Sequence, residues 1–444
     1  MQWTPEEIKE ADRRHVIHSW SVQGKLSPTL VTGGEGSWFW DETGKRYLDF
    51  QSQLVNMSLG HQHPRMIEAI KDAAERMCYI GPAFAEQSRA ELAWRVAQLT
   101  PGDLTMSFFT TGGAAANETA IRLARHVTGR HKILARYRSY HGATAGALTL
   151  TGDPRRWATE PGMSGVVRIL DPYTYRCPAG HPDPCPVCTG EPHLEEILQY
   201  ENPETVAAII LEPVTGTNGL IYPPEGYLQA IRRVCDRYGI MLILDEVMTG
   251  FGRTGEWFAA DHYGVVPDIL TSAKGINSGY VPLGVMTVNQ AIADWLQDHM
   301  FWGGQTYAGH PLACASGIAA LTIMEEEGLV ENARKQGERL RLGLEALAEK
   351  HPSIGDIRGR GLFFGVELVR DRETREPLVP FNGKGDAAAP ITAVTKDAWS
   401  KGLYLTANNN VLRITPPLVI DETDIDLGLS ILDDSLHLAD KSVL

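Results

Sequence analysis

The sequence predicts an α/β protein, with a large doubly wound, mainly parallel sheet domain and a smaller α+β domain. Three observations carry that prediction. From about residue 65 onward, short apolar runs alternate with amphipathic helical stretches, the pattern of successive strand–helix units. Several runs, Ala207-Ala208-Ile209-Ile210-Leu211 foremost, are apolar on both faces, which suits parallel strands covered by helices on both sides. Near residue 320 the texture changes to long helices, one very rich in charge, followed by strands that flank a polar loop.

In chain order, residues 1–60 form a turn-rich opening expected to pack with the small domain. Within it, Ser37–Trp40 and Tyr47–Phe50 read as two strands joined by the turn residues Asp41-Glu42-Thr43-Gly44-Lys45. The large domain is expected over residues 61–329. Helical spacing is clear there in Pro64–Met77, Arg89–Leu99, Ala115–Val127 and Tyr227–Tyr238. Strand-like runs are Ser107–Thr111, Ile133–Arg136, Val206–Leu211, Met241–Asp245 and Leu283–Val288. Ile318–Glu327 and Val330–Lys350 read as long helices, the second opening a small domain over residues 330–444. Ile354–Val369 and Gly402–Leu418 read as strands around the polar loop Arg370–Ala388. In such sheets ligands sit at the carboxyl ends of the strands.

Bulk properties bound the function. The 444 residues carry a net charge of −14, with both signs interspersed, which argues against nucleic acid or an anionic membrane as main partner. The start of the chain is polar, without the apolar core of a signal peptide, and no stretch approaches the ~20 apolar residues of a spanning helix. Six cysteines in this length do not form a disulfide framework. A cytoplasmic globular enzyme is the expectation.

Four fragments carry chemistry. Leu242-Ile243-Leu244-Asp245 ends a buried apolar strand on a carboxylate, which is costly to bury unless something pairs with it. A capping or salt-bridged aspartate would satisfy that as well as a functional one. The glycine-rich Thr249-Gly250-Phe251-Gly252-Arg253-Thr254-Gly255 follows at once, where a loop commonly closes around a ligand. Asp268-Ile269-Leu270-Thr271-Ser272-Ala273-Lys274 puts a lysine at the end of a second apolar run. That lysine either snorkels to the surface or is held at the strand end to condense with a carbonyl as a Schiff base. Enzymes using pyridoxal 5′-phosphate (PLP) need such a lysine together with an aspartate that keeps the pyridine nitrogen protonated, and Asp245 and Lys274 fit the two roles as a pair. Gly112-Gly113-Ala114 turns a strand into a helix whose free amides can bind a phosphate, although no Gly-Lys-Ser/Thr follows as in a Walker motif. Ser139-Tyr140-His141-Gly142 offers an aromatic to a cofactor face, or a tyrosine to the core.

Together and in this order, the fragments resemble class III aminotransferases, the fold-type-I PLP enzymes that include the ω-amino acid:pyruvate transaminases. The resemblance runs from about Leu26 to beyond Arg413 and is most specific at 245–255 and at Ser272-Ala273-Lys274-Gly275. It implies that Asp245 binds the pyridinium nitrogen, that Val247 and Tyr140 take the two ring faces, and that Gly113 and Ala114 offer amides to the phosphate. His141 and Glu212 would line the site beside them, and Lys274 would anchor the cofactor and carry protons. Thr306 matches a threonine that reaches the phosphate from the partner subunit, which implies a homodimer with shared active sites. Arg413 matches an arginine that pairs with a substrate carboxylate, a task suited to its bidentate fork. The activity implied is ping-pong transfer of an amino group from an ω-amino acid or amine donor to a keto acid, pyruvate first. The alternatives are an ornithine/GABA-type enzyme using 2-oxoglutarate and an aminomutase or racemase on the same scaffold.

Two departures from the family pattern stand out. Gly112-Gly113-Ala114-Ala115-Ala116 replaces a common Ser-Gly-Ser-Glu-Ala, which removes a hydroxyl contact to the phosphate and leaves more to Thr306. Val55 stands where pyruvate-dependent relatives often have tryptophan, which implies a reshaped amine pocket bounded by Trp20 and Phe84. Separately, Cys177, Cys185 and Cys188, with His193 nearby, could complete a structural zinc site. A single C-x-x-C is weakly specific, however, and the stretch is read as a proline-stiffened surface loop with reduced thiols, so no metal is assigned.

Overall fold

The computed structural model describes residues 3–180 and 184–444, so that His181, Pro182 and Asp183 of the cysteine-containing loop lie outside the described residues. The chain opens its sheets with a meander of β1 (Val31–Glu35), β2 (Trp38–Asp41) and β3 (Arg46–Asp49). Asp41 builds the β2–β3 turn: one carboxylate oxygen accepts from the amides of Thr43 (2.9 Å) and Lys45 (3.1 Å).

The central sheet follows: β4 (Leu104–Thr110), β5 (Lys132–Arg136), β6 (Val166–Ile169), β7 (Val206–Leu211), β8 (Met241–Asp245), β9 (Ile269–Ser272) and β10 (Gly284–Asn289). Their order is β4-β10-β9-β8-β7-β5-β6. Only the two pairings made by β10 are antiparallel, so the other six strands run in one direction. The two apolar faces read from β7 resolve into two cores. Ile209 and Leu211 pack with Leu228, Ile231 and Val234 of the helix Tyr227–Tyr238. Ala208 and Ile210 pack with Ile121 and Ala124 of the helix Gly113–Thr128. Alternate residues of one strand thus serve opposite helical layers, the doubly wound arrangement.

The last part of the chain adds β11 (Ile354–Arg360), β12 (Phe363–Leu368), β13 (Leu403–Tyr404), β14 (Thr406–Asn408) and β15 (Val411–Ile414). Four of these form a sheet in the order β11-β12-β15-β14. The fifth, β13, leaves it and pairs parallel with β3, with Leu403 opposite Leu48, so the early meander and the late chain share one sheet. Among the helices that went unread in the sequence are Pro5–His15, Glu191–Glu201, Gln290–Asp298, Ala389–Ser400 and Glu422–Asp440. The last is rich in aspartate, which lowers helix propensity, yet Ile425, Gly428, Leu432, Leu436 and Ala439 fall on one buried face and Asp421 caps its start (2.9 Å to the amide of Asp424).

Candidate active site

Because six central strands are parallel, their carboxyl ends meet at one edge. Asp245 is the last residue of β8, paired with Thr271 of the neighbouring β9, and Lys274 lies just past the end of β9. Gly113 begins the helix after β4, Tyr140 follows β5 and Glu212 follows β7. All five therefore converge on one cavity of about 430 Å³, which Ala114, His141 and Val247 also line.

Asp245 is buried and held from three sides. One oxygen accepts from the Asn117 side-chain amide (2.7 Å) and lies 2.8 Å from Nδ1 of His141, while the other accepts from the amide of Val247 (3.0 Å). Asn117 also donates to the His141 carbonyl (2.7 Å) and accepts from the hydroxyl of Thr271 (2.6 Å), so it locks helix, strand and aspartate together. Lys274 adopts a left-handed backbone conformation (φ 44°) and opens onto the same cavity. Burial lowers its amine to about 8; Asp245 and Glu212 pull it up, and the guanidiniums of Arg413 and Arg155 push it further down. An amine whose pKa is lowered toward neutrality, beside a fixed carboxylate, is the constellation an amine nucleophile needs.

Glu212 is buried and accepts from the amides of Tyr140 (3.0 Å) and Gly216 (2.8 Å), and burial pushes its carboxyl above the usual range. Gly113 must be glycine: a Cβ there would sit 2.7 Å from the Val247 side chain. The helix it opens has no side-chain cap, so its first amides stay available to a ligand.

The residues present fit pyridoxal phosphate. An uncapped helix start can take a phosphate, and a buried carboxylate fixed by three donors can take a cationic ring nitrogen. Nε2 of His141, in the cavity wall, is buried without a hydrogen-bond partner among the described residues, a group awaiting a ligand or water.

A second cavity of about 470 Å³ adjoins the first and shares Lys274, Tyr140, Leu54 and Met248 with it. Trp20, Val55 and Arg413 line it, as the sequence leads one to expect of a substrate pocket, and so do Arg155, Asn408 and Asn218, which the sequence did not single out. Arg413 stands on β15 opposite Thr406 of β14 and donates to its hydroxyl (2.6 Å); its Nε is buried and unpartnered among the described residues. Arg155 lies over Tyr140, its guanidinium carbon 3.8 Å from the ring centre, and is oriented by Asp153 (2.7 Å from Nε). Nothing in the turn Asp153-Pro154-Arg155-Arg156 marked the arginine as facing a pocket. Val55, a β-branched residue at φ 62°, is held in a strained conformation in the wall.

Thr306 and Phe84 line neither cavity of the single chain. Both are exposed, in neighbouring segments: Arg89 donates to the carbonyls of Phe84 (2.7 Å) and Gly309 (2.9 Å), and Tyr79 donates to the carbonyl of Thr306 (2.8 Å). The glycine-rich stretch after Asp245 also has a different role from ligand closure. Only Val247 and Met248, ahead of it, reach the cavities, whereas Arg253 turns into the protein and donates to the carbonyls of Leu362 (3.1 Å) and Pro416 (2.5 Å). Its Gly252 and Gly255 take positive φ (87° and 86°), and the close backbone approach comes from the late chain, where a Cβ on Gly361 would sit 2.4 Å from the carbonyl carbon of Thr254. The loop joins the central sheet to the late chain.

The family model of class-III aminotransferases matches residues 20–436. The chain is similar to the taurine:2-oxoglutarate aminotransferase of Bifidobacterium kashiwanohense, solved with PLP and glutamate: 39% identity, TM-score 0.95, covering 100% of both chains. It is similar to an (S)-enantioselective ω-transaminase of Thermomicrobium roseum, at 38% identity and TM-score 0.91 over 99% of both chains. Among curated proteins, the hypotaurine/taurine–pyruvate aminotransferase of Paracoccus denitrificans is 34% identical over 97% of this chain and 96% of its own length.

Proposed function

The chain belongs to the class III aminotransferases, which use pyridoxal phosphate, and from that premise we propose that it moves an amino group from a small ω-amino donor ending in an anion to a keto acid, pyruvate in first place, by a ping-pong cycle. The observation that carries this reading is the pair Arg155 and Arg413 in the cavity next to a depressed-pKa Lys274. Both taurine transaminases named above support the donor class; the Paracoccus denitrificans protein supports pyruvate as acceptor, whereas the Bifidobacterium kashiwanohense one is named for 2-oxoglutarate.

When bound, the cofactor supplies an electron-withdrawing ring that accepts the electron pair released as the donor's C–H bond breaks. Asp245, aimed by Asn117 and His141, would hold the ring nitrogen cationic, with Val247 and Tyr140 against its faces. The amides of Gly113 and Ala114 would take the phosphate, and Glu212 would fix the Tyr140 backbone. The neutral Lys274 amine takes the proton from the donor carbon and returns it elsewhere. Arg413 grips the keto acid's carboxylate, Arg155 the donor's terminal anion, and Trp20 and Val55 bound the space between. Thr306 and Phe84 would act in the partner's site of a homodimer, which their exposure supports.

A second reading has its own observation: two guanidiniums in one cavity suit an acceptor with two carboxylates, as 2-oxoglutarate has. A panel of taurine, β-alanine, a diamine and an aromatic amine against both acceptors separates the readings. Arg155→Ala is expected to raise KM about tenfold to a hundredfold for donors with an anionic end, the worth of a charged hydrogen bond, and to leave the aromatic amine unaffected. If it leaves taurine and β-alanine unaffected, the assignment of Arg155 is wrong. A purified protein that stays colourless and takes up no added cofactor would sink the whole reading.

A further inference from the structure

The cysteine-containing loop read from the sequence as carrying reduced thiols is far more organised than that reading implies. Cys177 follows the turn Thr174–Arg176, while Cys185 and Cys188 flank the proline-started turn Pro186–Thr189. The fold nevertheless brings all three sulfurs together. Sγ of Cys177 lies 3.2 Å from that of Cys185 and 3.8 Å from that of Cys188, and the three atoms all lie within 4.8 Å of one another. A tetrahedral ion with Zn–S bonds near 2.3 Å sets its sulfurs about 3.8 Å apart, so this triangle has the size of a coordination face.

The C-x-x-C turn also carries a feature that favours a thiolate. The amide of Cys188 donates to Sγ of Cys185 (3.2 Å), an interaction that offsets negative charge on that sulfur. Cys177 and Cys188 are buried while Cys185 is half-buried. His193 is not among the described ligand atoms gathered there, and its Nε2 accepts from the amide of Leu170 (3.1 Å). The second group of possible ligands, His351, Asp433 and His437, offers no such face: both ring nitrogens of His351 already pair with Asp433 and Asp440.

We propose that Cys177, Cys185 and Cys188 hold a structural zinc ion. Its role follows from what surrounds it. Just ahead of Cys177, Tyr173 and Arg176 reach Glu367 of β12, and Arg375 donates to the carbonyl of Tyr175 (2.6 Å). Just behind Cys188, Gly190 packs against Tyr227 and the helix Glu191–Glu201 begins. The ion would staple a strap that ties the central sheet to the late chain, away from the cavities that hold Lys274.

The test is metal analysis of the untagged holoenzyme, purified without added metal or chelator. About one zinc per chain is expected in the wild type, falling to near zero in Cys188→Ser, with the cofactor's absorbance retained. Thiol titration of the wild type should release that zinc as three sulfurs react. Protein essentially free of zinc, zinc retained in Cys188→Ser, or a peptide map showing Cys177 linked to Cys185 by a disulfide would each overturn the proposal. Should Cys188→Ser be insoluble, cobalt decides on the wild type. After chelation, one equivalent of Co²⁺ must give the intense visible bands of a tetrahedral thiolate site, and weak octahedral bands refute it.

Discussion

Lys274 illustrates how much a single side chain can disclose and where it stops. In the sequence it is a lysine at the end of an apolar run, as consistent with a surface position as with a cofactor anchor. The structure sets it beside Asp245 and Glu212, within the fields of Arg155 and Arg413. Its amine has to be neutral to capture a carbonyl, and with its pKa lowered to about 8 the neutral fraction falls tenfold per unit below that pH and levels off above it. The rate at which cofactor-free protein takes up pyridoxal phosphate should therefore climb from pH 6 to about 8 and then flatten; a climb continuing to pH 10 would show an unshifted amine. Arg155 and Asn117 were harder to read. Asn117 falls within the helical stretch Ala115–Val127, but only the fold reveals that the start of its helix faces the end of β8. Arg155 acquires meaning only through Tyr140, from another part of the chain.

At the scale of elements, β7 and β8 were legible because both faces of each are buried, so their apolar runs are unbroken. The loop after β8 was misjudged because glycines that let a ligand approach and glycines that serve positive-φ turns in a packed joint look alike in sequence. Arg253 shows which applies: it is fully buried and its nearest acceptors are the carbonyls of Leu362 and Pro416. Arg253→Ala would strand both and should cost about 2–4 kcal/mol in a urea melt. Glu246 belongs to the same joint, accepting from the amides of Ala259 (3.1 Å) and Ala260 (2.7 Å), and burial pushes its carboxyl to about 7. Its folded pKa exceeds the ordinary value of 4.5, so the native chain holds a proton that the unfolded chain has released. The stability tied to that proton is complete below pH 4.5 and lost as pH rises through 7. Melts at pH 5 and pH 8 should accordingly favour Glu246→Gln relative to the wild type more at the higher pH.

At the scale of the whole molecule, the single chain leaves Thr306 and Phe84 on the outside, in the company of exposed Tyr79, Met300, Trp302 and Tyr307. Apolar surface of this kind is what an obligate interface buries, and a dimer at micromolar concentration in analytical ultracentrifugation is the expected result. Thr306→Ala should weaken cofactor affinity about tenfold. A mixed dimer of Lys274→Ala and Thr306→Ala chains gives a sharper result. If Thr306 serves its neighbour, one site in that dimer regains wild-type affinity; if it serves its own chain, neither does. No reading of one chain's periodicity could supply such a contact, because it would lie between chains.

The pairing of β3 with β13 also bears on how the chain comes to be folded. Even the most distant pair of the central sheet, β4 with β10, is complete once residue 289 exists, but one edge of β3 has no partner until Leu403 and Tyr404 exist. During synthesis the meander must carry an open edge through most of elongation, a template for pairing with the wrong molecule. The early meander is therefore where a chaperone has most to guard, and a chain interrupted shortly before residue 403 would emerge with an intact central sheet and a sticky hem.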